Sequence, residues 1–126
     1  MRYEVEVVHA ATEHWLIAHN LEYQHELTTK AGRADFAAWK GSVRQGLLII
    51  ECKVKWRDLP DGVDQVQEYC QSLRYDGFAT WPMIVMPYNE AMPISHKYDK
   101  MLAALEIPLV LVKVKSIAEY RTSLIS

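Results

Sequence analysis

Three side chains in this sequence could act together on a phosphate: Asp35, Glu51 and Lys53. Glu51 and Lys53 are two apart at the end of Leu47–Trp56, LLIIECKVKW. In a strand they point to one face, with Lys55 and Arg57 continuing it. Ile50, Cys52, Val54 and Trp56 then line the other face. A strand opening on four apolar residues reads as central and covered on both sides. Burying an acid there is costly unless it is paired, holds a metal or faces a wet cleft. The preceding loop, KGSVRQG, is centred on Val43. A hairpin about that centre sets Asp35 opposite Glu51, with Cβ atoms about 5 Å apart. Two like charges so placed call for a hard divalent cation held by carboxylate oxygens. Lys53, about 7 Å along the strand, would orient a water or stabilise charge building on a phosphate. Two carboxylates, a lysine and Mg²⁺ suit phosphodiester hydrolysis. A register slip of one residue would separate the acids.

The elements that must position these residues follow from pattern and punctuation. A first helix runs from Glu4 to about His19, with Val8, Ala11, Trp15 and Ala18 as its apolar stripe. Glu4 falls on that stripe, as a site residue or as an acid favoured at a helix start. Strands are expected at Glu22–Thr29 and Arg33–Trp39, joined by the turn Lys30-Ala31-Gly32. RDLPDG, from Arg57 to Gly62, breaks the chain, and Asp61 with Asp64 starts a second helix ending near Arg74. Its apolar side is Val63, Val66, Cys70 and Leu73. Met83–Pro87 is a short apolar strand, Ser95–Leu105 an amphipathic helix and Leu109–Lys115 a final strand. The order α, β-β-β, α, β, α, β predicts an α/β (α+β) fold, a mixed sheet flanked by helices.

The 126 residues make one domain, 1–126, half hydrophobic and a quarter charged. The net charge of −2 gives no global attraction to polyanions, so nucleic-acid binding needs a local patch. Cys52 and Cys70 match no zinc spacing and read as reduced, buried thiols of a cytoplasmic protein. No signal peptide and no membrane-length apolar run is present.

An acid-x-lysine tripeptide is common by chance. Here it ends an apolar strand, follows an acid in the preceding strand and precedes a helix. In this the sequence resembles the PD-(D/E)XK nuclease superfamily, nearest to the N-terminal nuclease domains of type I restriction enzymes and to RecB-like nucleases. The matching pieces are Gly32-Arg33-Ala34-Asp35-Phe36, Leu48-Ile49-Ile50-Glu51-Cys52-Lys53 and Asp64-Gln65-Val66-Gln67-Glu68-Tyr69. The resemblance covers roughly residues 4–90. It implies a restriction-endonuclease-like αβββαβ core, plus a C-terminal helix and strand, and a Mg²⁺-dependent nuclease, with Mn²⁺ able to substitute. Asp35 and Glu51 would be metal ligands, with the Cys52 carbonyl as a third. Lys53 would be the catalytic lysine, Gln65 would position the site or the backbone of DNA, and Glu4 would match a first-helix acid. Ala34 stands where many members have proline.

Other residues have two readings each. Lys55 and Arg57 would contact phosphates or end a solvated strand. Arg33 would pair with Asp35 or touch substrate, and Tyr69 lies one helical turn from Gln65. His9, His14 and His19, five apart, scatter around a helix and read as surface or cap residues. Trp15, Trp39, Trp56 and Trp81 read as core. The alternatives to a DNA nuclease are an inactive nucleic-acid-binding module of the same fold and an RNA-cleaving, toxin-type member. A homodimer or partner subunit would supply substrate affinity.

Overall fold

The computed structural model describes residues 2–125. Five strands form one mixed sheet in chain order: β1 (Glu22–Thr29), β2 (Gly32–Trp39), β3 (Leu47–Cys52), β4 (Thr80–Tyr88) and β5 (Leu109–Lys113). The first three are antiparallel neighbours, and β4 and β5 add in parallel to β3. Before β1 a π-helical segment, Glu4–His9, runs into helix α1 (Ala10–Ala18). Helix α2 (Leu59–Tyr75) crosses from β3 to β4, α3 (Asp99–Ala104) from β4 to β5, and α4 (Ile117–Ser123) follows β5.

β3 lies between two apolar layers, as its composition requires. Leu47 and Ile49 pack with Leu59, Val63, Val66, Cys70 and Leu73 of α2. Ile50 and Cys52 pack with Val8 and Leu16 of the N-terminal helix and Tyr120 of α4. The N-terminal and C-terminal helices share that second face. Tyr3 Oη donates to the Lys115 carbonyl at 2.6 Å, the Tyr3 and Tyr120 rings meet edge to face, and Tyr120 Oη donates to Glu6.

Several expected boundaries move. β3 stops at Cys52, because the chain then turns through a 3-10 segment, Trp56–Asp58, and α2 starts at Leu59. Lys55 and Arg57 therefore do not continue the face of Lys53. Pro60 is tolerated in the first turn of α2, where its missing N–H has no partner to lose. Asp61 and Asp64 thus fall inside the helix, and no side chain caps it. β4 is longer than expected, whereas α3 starts only at Asp99. There the Ser95 hydroxyl takes the Lys97 N–H, an alternative to helix. Helix α4 is an addition that the strand and helix pattern did not anticipate. Its start is a capping box: Ser116 accepts from the Glu119 N–H while the Glu119 carboxylate accepts from the Ser116 N–H.

The N-terminal helix is rotated relative to a regular one. The wide π-turn inserts a residue and shifts the phase of the buried stripe. Val7, Val8, His9, Thr12 and Leu16 turn inward, while Ala18 of the expected stripe is exposed. His14 and His19 stay at the surface, but His9 does not: it is 4 % exposed. Trp81 departs from the core reading too, at 52 % exposed.

Candidate functional site

The hairpin register is the one predicted about Val43. Phe36 pairs with Ile50, Ala37 with Ile49 and Ala38 with Leu48. Beyond Phe36 and Ile50 side chains take over the exchange. The Cys52 N–H donates to Asp35 Oδ2 at 2.7 Å, and the Asp35 N–H donates to Glu51 Oε1 at 3.1 Å. Each carboxylate is thus anchored by one oxygen to the opposite strand, and its second oxygen is left to serve a ligand. Charge-assisted bonds of this kind fix orientation as well as energy.

The same place is where β2 changes layer. Leu27 and Ala34 face each other in the α2 layer, whereas His25 and Phe36, the next bridged pair, stack at 4.8 Å on the opposite face. Between these pairs lie Asp35 and Glu26, the latter at φ 61°. A left-handed residue without a glycine costs about 1–2 kcal/mol, and such strain gathers at functional sites.

Electrostatics mark Glu51 as the most perturbed acid. It is 5 % exposed. Burial first, and then the neighbouring Asp35, push its pKa up to about 8, with a further push from Glu4 and opposition from Lys53. Burial also raises Asp35, against the Cys52 N–H and the nearby His9 and Lys53. Tyr69 is raised by burial and then by the charges of the same two acids. Its ring lies against Gly32, where φ is 140° and an added Cβ would come within 3.0 Å of Cε1.

Lys53 reaches this region because of a second glycine. A Cβ on Gly62, inside α2, would lie 3.0 Å from Lys53 Cγ and 3.3 Å from Cε. The helix therefore approaches β3 closely enough for the lysine stem to lie along it. Lys53, Lys55, Glu4 and Gln65 line one cleft of about 630 Å³, with Arg121 and Ile117 of α4 on its wall. Gln65 Oε1 is buried without a hydrogen-bond partner. A buried amide oxygen left so costs about 1–3 kcal/mol, and points to a ligand or water as its partner.

The predicted residues separate into groups. Asp35, Glu51 and Cys52 meet at the end of β3, with Lys53 and Glu4 close enough to shift Glu51. Lys53, Gln65, Glu4 and Lys55 share the cleft, and Tyr69 packs against Gly32 at the start of β2. Arg57 is exposed on the 3-10 turn. Arg33 does not pair with Asp35; its guanidinium lies 3.6 Å from Glu26. His9 and Arg121 were missed. His9 Nε2 is 3.7 Å from Asp35 Oδ1, while its Nδ1 meets His25 Nε2 at 2.9 Å. Only the π-turn brings it there. Arg121 was signalled by the Ser116–Glu119 capping box that announces its helix.

The donor set fits a hard divalent cation. Two anchored carboxylates each keep an oxygen for a ligand, and burial beside Asp35 disfavours the charged form of Glu51, which a cation would favour.

The mixed five-stranded sheet with helices on both faces is of the α+β class and matches a restriction-endonuclease-like fold. The structure is similar to the crystal structure of a repair endonuclease from Pyrococcus abyssi, with a TM-score of 0.60 and 14 % sequence identity. The likeness covers 84 % of this chain and 47 % of that one, so the chain spans about half the length of that protein. Neither a protein-family profile nor a curated protein sequence matches the chain. Among the described residues no helix is long and apolar enough to cross a membrane.

Proposed function

We propose that the chain is a Mg²⁺-dependent nuclease of the PD-(D/E)XK type that hydrolyses phosphodiester bonds of DNA, with Mn²⁺ able to replace Mg²⁺. The observation that carries this reading is the pair of carboxylates, Asp35 and Glu51, each anchored by one oxygen across the β2–β3 junction beside Lys53. The likeness in fold to a protein named a repair endonuclease supports it.

Asp35, Glu51 and the Cys52 carbonyl would hold the ion, with Glu4 close enough to join through water. An ion held there would polarise a phosphate and lower the pKa of an attacking water. Lys53 orients that water or stabilises the charge that grows on the phosphate. Its position is fixed by the Gly62 contact rather than by an ion pair with one acid. Gln65 Oε1 accepts from the water or from a ligand at the cleft. Lys55 and Arg121 contact phosphates flanking the scissile one, and Tyr69 and Gly32 hold the β2 end in place. Arg33 and Arg57, both exposed, would be available to the same nucleic-acid strand.

Three cations in the cleft are offset by Glu4, Asp58, Asp61 and Asp64 along it. Substrate affinity from such a surface is weak, so a homodimer or a partner subunit, in a cytoplasmic setting, adds to it.

The test is cleavage of plasmid, linear and single-stranded DNA, and of RNA, with Mg²⁺, Mn²⁺ or EDTA. Metal-dependent DNA cleavage is expected, with a loss of about 100-fold or more in Lys53→Ala. No metal-dependent cleavage, or full activity in that variant, overturns the reading. Cleavage of RNA alone moves the substrate, not the chemistry.

A further inference from the structure

On the opposite side of β3 from α2, three side chains converge that the proposed hydrolysis does not use together. A His9 nitrogen, an Asp35 carboxylate oxygen and Cys52 Sγ all lie within 4.8 Å of one another. His9 and Cys52 are 4 % and 1 % exposed. A second, independent observation points to a ligand: His9 Nε2 is buried without a hydrogen-bond partner. It faces Asp35 Oδ1 at 3.7 Å. The other ring nitrogen already has a partner in His25 Nε2. With Nδ1–H donating to His25, Nε2 carries a free lone pair, the arrangement that an outer partner imposes on a metal-binding histidine.

We propose that His9, Asp35 and Cys52 form a second metal site, for a divalent ion that prefers nitrogen and sulfur donors, Zn²⁺ by its chemistry. Imidazole, carboxylate and thiolate together suit zinc and cobalt, whereas magnesium takes oxygen. Bonds of about 2.0–2.3 Å set tetrahedral ligands roughly 3.5 Å apart, so the cluster closes in by about 1 Å on binding. Cys52 releases its thiol proton to solvent as the sulfur–metal bond forms, and a water or substrate oxygen completes the four ligands. Asp35 is shared with the hydrolytic site: its Oδ2 is held by the Cys52 N–H, so an ion taking Oδ1 removes the oxygen that Mg²⁺ needs. Zinc then inhibits cleavage; this consequence rests on the nuclease reading, while the site itself does not.

The probe is Co²⁺ alone, titrated into the full chain and followed by absorption. One equivalent is expected to produce thiolate-to-cobalt charge transfer in the near ultraviolet, which one equivalent of Zn²⁺ abolishes. Cys52→Ser loses the band and Cys70→Ser keeps it. His25→Ala, which leaves all three ligands in place, weakens Co²⁺ binding about 10- to 100-fold. No band in the wild-type protein, or a band lost only in Cys70→Ser, overturns the proposal. If Cys52→Ser does not fold by circular dichroism, His9→Gln decides, because unchanged affinity there also overturns it. Mg²⁺-dependent cleavage with added Zn²⁺ is read separately. A charge-transfer band in a protein that cleaves nothing leaves this site standing and removes the nuclease reading.

Discussion

Replacing Glu51 with glutamine should stabilise the fold while abolishing cleavage. In the unfolded chain Glu51 ionises near its ordinary 4.5, whereas in the folded protein burial and Asp35 hold it to about 8. Between those values the folded state keeps a proton that the unfolded state has released. Stability from this group is therefore complete below the lower pKa and lost as pH rises through the window. Each pH unit inside it costs about 1.4 kcal/mol, so going from about pH 5 to about pH 7 costs the wild-type protein about 2.5 kcal/mol. Glutamine keeps the shape and does not titrate. Asp35, also raised by burial, leaves the variant with a smaller residual slope. Urea midpoints across this range measure the difference, at constant m value. Glu51→Gln should gain on the wild-type protein by about 2–3 kcal/mol between the two ends. Mg²⁺ at alkaline pH should restore the wild-type protein by pairing with the ionised carboxylate, and should leave the variant unmoved. Parallel pH–stability curves for the two proteins would refute the buried, unpaired carboxylate on which the metal site depends.

Gly62→Ala should remove glycine's helix penalty, worth about 0.5–1 kcal/mol, yet displace the Lys53 stem it meets at 3.0 Å. Thermal unfolding and initial rates should therefore move oppositely, with cleavage slowed about 10- to 100-fold. Gln65→Leu strands no protein partner, since Oε1 has none. Its urea midpoint should stay near the wild-type value while initial cleavage rates fall. Lys55→Ala and Arg121→Ala should each flatten the dependence of duplex affinity on salt, by about 0.9 in log–log slope for each phosphate that is no longer neutralised. Fluorescence anisotropy over a salt series with a Ca²⁺-loaded, non-cleaving complex measures it.

The central hairpin was legible because its determinants are local. The loop centre and the alternation of apolar residues in β3 fix which residues face each other, and so bring Asp35 to Glu51. The apolar side of α2 was legible for the same reason, and with it the position of Gln65. What could not be read came from non-local geometry. Nothing in Tyr3 to His9 announces a π-turn, so the helix phase was wrong and His9 was set at the surface. The change of layer at Glu26, at φ 61° without a glycine, has no signal in residue type. Lys55 and Arg57 were extended along a strand because alternation continued past Cys52, while Pro60 allowed a helix to begin sooner. Helix α4 had a local signature in Ser116 and Glu119, which a scan for long apolar periodicity passes over.

The clasp between Tyr3 and the Lys115–Tyr120 stretch has a consequence in time. Glu4 and Arg121 stand on the same cleft wall, although more than a hundred residues of chain separate them. Interactions of such sequence separation form late, because loop closure must be completed before they contribute. During synthesis the hairpin bearing Asp35 and Glu51 is made early, but the cleft wall beside Lys53 waits for α4. A nascent chain, or one clipped before α4, would therefore lack the Ile117 and Arg121 side of the cleft that holds Lys53 and Gln65. Under the proposed nuclease reading, a chain whose α4 has not yet docked would lack Arg121 as a phosphate contact.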